Sequence, residues 1–374
     1  MFRVKRLLVC ALVATIAIFG ALLPSGLADG GANHRVRNQR FGVSGGNVND
    51  QSRRFCCSGT LGAMITDGTN QYILSNNHVL GRSNQAVAGE DVSQPGLIDS
   101  NCNVATVVAD FTGFASLGPS NVDAAVAQLR PGQMDSSGFI EDIGVPSSTI
   151  ALPTIGMSVA KSGRTTGFTT GSITSINTSV SVQYTASCGG GKKSTISFSN
   201  QIVITPGTFS AGGDSGSLIV TNDASHNPVG LLFAGSSSAT IANPIGQVLT
   251  QLSAALGRTF SFGGGGGGGG SSSTSSKGNP HEGRRPFIPG LENTMPILPD
   301  QASDRALSVL EVHRANIMFS PGVMGAGIGA SGRSDGEAAI VIYVDKDAPT
   351  KAVFPDAYDG IPVRVIETDL FVAR

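Results

Sequence analysis

The chain of 374 residues is 40% apolar and 14% charged, a balance that can bury sizeable cores in two or three domains and excludes disorder of the whole chain. A formal net charge of −1, with no basic run beyond the first residues, offers nothing for a nucleic acid or another polyanion to hold, and a small or neutral partner fits better. The 51 glycines and the absence of tryptophan point to tight turns between short strands, although one glycine tract inflates that count.

In chain order, the basic MFRVKR, the apolar LLVCALVATIAIFGALL and the small-residue exit PSGLADG read as a secretory signal over residues 1–28, cut after Ala28. The alternative is a retained membrane anchor, because about 17 apolar residues is just within the spanning range. No later segment is long or apolar enough to span, so the chain without its signal is expected to be free of the membrane. Cys10 would leave with the signal, and Cys56, Cys57, Cys102 and Cys188 would enter an oxidising compartment as an even set able to form two disulfides. One of the three connectivities that includes Cys57–Cys102 is expected. The cysteines lack paired spacing with histidines, so a zinc site is not expected; no other metal and no cofactor is expected either. Residues 29–56 read as an irregular N-terminal segment.

From residue 57 to 258, short apolar segments alternate with turn residues: GTLGAMI, QYILSNNHVL, VATVVADF, VDAAVAQL, SVAKSG, TGSITSI, VSVQYT, STISFS, QIVITP, SLIV and VGLLFAG. Val, Ile and Thr dominate, and Asp67-Gly68 supplies a hairpin turn. About a dozen such strands predict a pair of barrels or a sandwich. ANPIGQVLTQLSAALG then changes period. Ile245, Val248, Leu249, Leu252, Ala255 and Leu256 recur at helical spacing, with Asn243 as N-cap, Pro244 at the first helical position and Gly257 as stop. The Gly/Ser/Pro-rich stretch within residues 259–299 reads as a flexible linker, about twenty residues of which span roughly 25 Å. Residues 300–374 resume a folding pattern: ASDRALSVLEVHRANI is helical in spacing, and GVMGAGIGA, AAIVIYV and IPVRVI read as strands of a small α+β domain.

Ser215 lies in TFSAGGDSGSLIV, boxed by glycines, where it is either a turn residue or a nucleophile. A serine hydroxyl attacks only when a neighbouring base takes its proton. Of the histidines, His34 falls in the N-terminal segment, His226 in the turn ASHNP, His281 in the linker and His313 on the tail helix. His78 alone ends a strong strand of the same domain. For the acid that must orient it, Asp123 runs directly into the apolar VDAAVAQL, and Asp110 in VVADFTGF is the second candidate.

The order His78, Asp123, Ser215, within NNHV, VDAAVAQL and GGDSGS, resembles the chymotrypsin/trypsin-like serine peptidases over residues 57–258. KSGRTTGFTTGSI is similar to a stretch in the second barrel of secreted bacterial members. The resemblance implies an all-β fold of two six-stranded antiparallel β-barrels with a closing C-terminal helix and the site between the barrels. It implies hydrolysis of peptide bonds by a Ser-His-Asp triad through an acyl-enzyme. Ser215 would attack, His78 carry the proton, Asp123 hold its tautomer, and the N–H groups of Gly213 and Ser215 form the oxyanion hole, each donor contributing roughly 3 kcal/mol. Asp214 would be buried and paired with Lys161 or Arg164. Thr208, Phe209, Ser210, Phe233, Ala234 and Gly235 match the substrate cleft; none is a carboxylate, so an apolar or small residue is expected before the cut bond. The partner is then a protein or peptide.

This chain also departs from the family. Asn77 and Val79 flank His78 where the family often carries alanine and a cysteine, Phe233 stands where a serine commonly supports the buried acid, and Ser217 replaces a glycine. A non-catalytic peptidase-like scaffold with a binding tail, or a serine esterase, remains the alternative. The tail itself is expected to dock on the first domain.

Overall fold

The computed structural model describes residues 34–263, 298, 300–333 and 336–373. The signal segment over residues 1–28 and all but the two ends of the 259–299 linker lie outside them.

Two barrels form. The first uses β1 (Val43–Asn47), β2 (Gly59–Leu61), β3 (Ala63–Thr66), β4 (Gln71–Ser75), β5 (Asp91–Gln94), β6 (Thr106–Ala115) and β7 (Ala124–Leu129), in the order β2-β1-β5-β6-β7-β4-β3. The ends of that order, β2 and β3, are halves of one strand bent at Gly62, so the chain itself closes a six-strand barrel. YILS and AAVA are buried on both faces, and Tyr72, Ile73, Leu74 and Val126 join one cluster with Leu61, Ile65 and Phe111.

The first barrel starts earlier than residue 57. Segment 29–56 is not irregular throughout: β1 pairs with both β2 and β5. VSGGN holds one apolar side chain in five residues, so its membership depends on long-range pairing that no local pattern announces. His34 is likewise buried, its ring bonded to Gly42 O at 3.1 Å and Asp142 Oδ2 at 3.0 Å.

The second barrel consists of β8 (Ser158–Gly163), β9 (Gly167–Ser187), β10 (Gly190–Thr205), β11 (Leu218–Thr221), β12 (Pro228–Gly235) and β13 (Thr240–Pro244), ordered β10-β13-β12-β11-β8-β9 and closed by pairing of β9 with β10. Between β4 and the first barrel's later strands sits the short α1 (Asn77–Leu80), and α2 (Ile245–Leu256) closes the second barrel by burying Ile245, Val248 and Leu252 against the first. Gly257 ends α2 at φ 63°. Pro244, not Asn243, is the N-cap residue, and no side chain caps the helix; Asn243 is still in β13 and its amide is used elsewhere.

The disulfides are Cys56–Cys102 and Cys57–Cys188, which corrects the expected Cys57–Cys102. Adjacent residues of an extended chain point to opposite sides, so Cys56 reaches the first barrel's loop after β5 while Cys57 turns to the end of β9 and ties the barrels together.

The tail contains α3 (Asp300–Met318), β14 (Val323–Ala330), β15 (Ala338–Asp345), β16 (Ala357–Tyr358), β17 (Ile361–Thr368) and β18 (Val372–Ala373). α3 buries Ala306, Leu310 and Ile317 on Ile328, Ile340 and Ile342. β15 pairs antiparallel with β14 and parallel with β17, and β14 pairs antiparallel with β9, so the tail's sheet continues that of the second barrel. The small residues of GVMGAGIGA permit this approach. A Cβ at Gly327 would lie 2.2 Å from Thr178 Oγ1 and 2.6 Å from Ser175 Oγ.

Candidate active site

His78 sits on α1, directly after β4, and Asp123 directly before β7, which is β4's neighbour in the first barrel. Adjacent strands therefore deliver both groups to one end of the barrel. Asp123 is fully buried; its Oδ2 meets His78 Nδ1 at 2.6 Å, and its Oδ1 accepts the His78 backbone N–H at 3.1 Å. The loop around Asp123 is clamped from both barrels: Asn243 Oδ1 accepts its N–H at 3.0 Å, and Asn76 Nδ2 donates to its carbonyl at 2.7 Å. Asn77 donates to Ala115 O at 2.8 Å and exchanges bonds with Asn84. Amide pairs thus hold the histidine turn where a disulfide was missing. Asp110, the second candidate acid, is on the surface of β6 in an ion pair with Arg130 at 2.6 Å.

Tyr184, which sequence reasoning did not single out, answers the question raised by Phe233. Its hydroxyl donates to Asp123 Oδ2 at 2.8 Å from β9, while Phe233 packs its ring on Phe198 with centroids 4.9 Å apart. Burial, reinforced by the Asp123 charge, pushes the Tyr184 phenol well above its ordinary value and keeps it a donor. The signal was available in VSVQYT. Val180, Val182 and Tyr184 alternate onto the buried face, and a buried phenol requires a partner.

Ser215 lies in the turn between the short 3-10 turn Gly207–Phe209 and β11. Its carbonyl accepts from Thr60 N at 2.8 Å, binding the turn to β2 of the other barrel, and its Oγ donates to Phe233 O at 3.4 Å. Val79, the residue after His78, and the Ser215 main chain close on Gly59, where a Cβ would come within 2.6 Å of Val79 Cγ2 and 2.9 Å of Ser215 O. Gly216 has φ +94° and leaves no room for a side chain: a Cβ would fall 2.1 Å from Ser75 Oγ and 2.3 Å from Thr60 O. Among the described residues, neither the N–H of Gly213 nor that of Ser215 has an acceptor. Thr60 Oγ1 meanwhile donates to Gly213 O at 2.9 Å, which fixes that peptide.

Asp214 points the other way, into the second barrel. Ala211 N at 2.9 Å, Thr165 N at 2.8 Å, Thr166 N at 3.2 Å and Thr166 Oγ1 at 2.7 Å all donate to it, and Lys161 Nζ stands 3.8 Å from Oδ2 with both side chains fully buried. Arg164 is no partner of Asp214. Its Nε and a terminal nitrogen grip Asp99 at 2.6 and 2.8 Å, a planar fork matched to a carboxylate. Ser217 donates to Asp214 O at 2.7 Å, which gives a use to the residue that replaces the usual glycine.

Burial pushes the Lys161 ammonium down to about 8, against the upward pull of Asp214. Between pH 8 and the ordinary lysine value the unfolded chain binds the proton that the folded chain lacks, so this group makes stability rise with pH in that window. Below pH 8 the cation faces Asp214. Lys161→Met is therefore expected to cost about 3 kcal/mol at pH 7, the low end for breaking a buried pair, because four other donors still hold the carboxylate. Urea denaturation at pH 7 and pH 9 measures it. The difference should widen at pH 9, because the stability that wild type gains above pH 8 through Lys161 has no counterpart in the methionine variant.

Of the remaining cleft candidates, Thr208 is exposed, Ser210 Oγ is bonded to Thr240 Oγ1 at 2.6 Å, and Phe209 and Phe233 are core residues rather than pocket walls. Phe233 offers its carbonyl to the site and its ring to the core. Ala234 and Gly235 follow on the last residues of β12. Beside His78 opens a cavity of ≈ 380 Å³ lined by Asp50, Cys57, Arg82, Tyr184 and Lys193 among others. Burial lifts Asp50 to about 6, against lowering by His78 and Arg82. At pH 7 its charge therefore adds to the negative field around the imidazole.

Solved structures similar to this chain include a glutamic-acid-specific serine protease described as using a novel histidine triad in substrate binding (22% identity, TM-score 0.41, covering 59% of this chain and 98% of that one). Others are Thermobifida fusca Protease A (18%, 0.40, 60% and 98%) and Cellulomonas bogoriensis chymotrypsin (18%, 0.39, 60% and 97%). No family model and no curated protein matches the chain.

Proposed function

We propose that this chain is a chymotrypsin-like serine endopeptidase working in an oxidising, extracytoplasmic compartment after loss of its first 28 residues. The observation that carries the reading is the fully buried Asp123 carboxylate bonded to His78 Nδ1 at 2.6 Å. A carboxylate there keeps the proton on Nδ1, so Nε2 is the basic nitrogen. Nε2 takes the Ser215 hydroxyl proton as Oγ attacks the carbonyl carbon of the scissile bond. The oxyanion formed is received by the N–H groups of Gly213 and Ser215, which have no other acceptor among the described residues. Imidazolium then protonates the leaving amine, and water repeats the sequence on the acyl-enzyme. Asp214, locked by four donors and Lys161, keeps the turn in the shape that presents nucleophile and N–H groups together. The absence of a carboxylate among Thr208, Ser210, Ala234 and Gly235 supports apolar or small residues before the cut bond. The two disulfides support the compartment.

A fluorophosphonate probe tests the reading. A covalent adduct on Ser215 of the folded protein, lost on denaturation beforehand, is expected. No adduct on Ser215 would leave a non-catalytic scaffold.

A further inference from the structure

β12 runs past the nucleophile: Ser215 Oγ donates to Phe233 O, and the next two residues, Ala234 and Gly235, present the main-chain edge beside it. An extended peptide lying next to Ser215 would pair with that edge by adding a strand. The edge is already paired. Ala373 and Val372 of β18 stand antiparallel to Ala234 and Gly235. On its other side β18 runs parallel to β9, with Val372 opposite Gln183 and the Gln183 N–H donating to Phe371 O at 2.9 Å. Gln183 precedes Tyr184, the residue that bonds Asp123. Val372 and Ala373 also line the cavity that holds His78.

The segment leading to β18 is anchored. Phe371 is 1% exposed and stacks edge-on to Tyr343 at 5.7 Å. Thr368 Oγ1 bonds Ser236 Oγ at 2.7 Å and Ser238 Oγ at 2.6 Å, and Asp369 bonds Ser237 and pairs with Lys346 at 3.0 Å. Val372, by contrast, remains 38% exposed. The anchor belongs to the core, and the two residues in the groove belong to its rim, so they can leave while the anchor stays.

We propose that β18 occupies the peptide groove of Ala234 and Gly235 as an internal substrate mimic, making the tail an intramolecular inhibitor of the site. This rests on the peptidase reading above. A tethered segment acts at millimolar effective concentration, so even weak pairing keeps the groove closed, and a substrate must displace it.

The test compares the full chain with one ended after Phe371, which keeps the buried anchor, and with full-length Ala373→Pro, which lacks an N–H and hinders strand pairing. Thermal melts identify folded variants. Hydrolysis of a small neutral peptide anilide should rise about 10- to 100-fold in kcat/KM in either variant, and a synthetic IETDLFVAR peptide should compete it back down. A separate arm uses Ser215→Ala versions of the full and shortened chains with the same peptide carrying a fluorophore. Anisotropy should report binding to the shortened chain and at least tenfold weaker binding to the full one. Equal rates, or no peptide binding to the shortened chain, overturn the proposal. Peptide binding to shortened Ser215→Ala without turnover or probe labelling in any active-site-intact chain would sink the peptidase reading and leave the groove assignment standing.

Discussion

Ser215→Ala is expected to lower kcat by about a million-fold while leaving the melting temperature nearly unchanged. The size follows from the unit to which the hydroxyl belongs. His78 and Asp123 have no proton to move once Oγ is gone, so removing the nucleophile silences the whole set, and what remains is catalysis by the N–H groups and by binding. The stability expectation follows from the contacts. Among the described residues the Ser215 hydroxyl makes one long bond, 3.4 Å to Phe233 O, while its carbonyl bond to Thr60 N is main-chain and survives the substitution. Turnover of a peptide anilide and a thermal melt on the same preparation decide it. A loss smaller than a hundredfold with unchanged stability would remove Ser215 from the chemistry.

The candidate residues His78, Asp123 and Ser215 came from short, ordered motifs, and the pair of barrels was legible because strand alternation and turn residues are local. The closing helix could be read from Ile245 to Leu256 for the same reason. What escaped the sequence depends on register between distant strands. VSGGN is a barrel strand only because β2 and β5 lie on either side of it. Cys56 and Cys57 are neighbours whose opposite directions decide the disulfides, and direction follows from the strand ladder rather than from spacing. Lys161 and Arg164 were equivalent candidates for Asp214. The structure separates them because Lys161 faces the barrel interior on β8, while Arg164 lies beyond the strand's end at Asp99. The tail was expected to dock on the first domain, but which strand would meet it was not legible: GAGIGA pairs with β9 through register that local spacing does not announce.

Asp123→Asn is expected to cost about 10⁴-fold in kcat with little effect on substrate KM, a separation that Tyr184→Phe helps to interpret. An amide at position 123 keeps the shape of the carboxylate but can present N–H to Nδ1, which moves the ring proton to Nε2 and leaves no base toward Ser215. Asn243 and Asn76 bond the backbone of residue 123 rather than its side chain, so the loop stays in place and the loss is one of tautomer. Tyr184→Phe removes one donor to Oδ2 and leaves the 2.6 Å contact to His78 Nδ1 intact. A hydrogen bond to a charged group contributes about 1.5–3 kcal/mol, and only the part that differs between ground and transition state reaches kcat, so a loss of about tenfold is expected. If the phenol were only a packing element, Tyr184→Phe would match wild type in kcat and in the pH profile. If it positions the acid, the acid limb of kcat/KM should move, because Asp123 with one donor fewer is a stronger acceptor for the imidazolium. That shift runs toward higher pH, and a shift toward lower pH would show that Tyr184 acts on the site by another route.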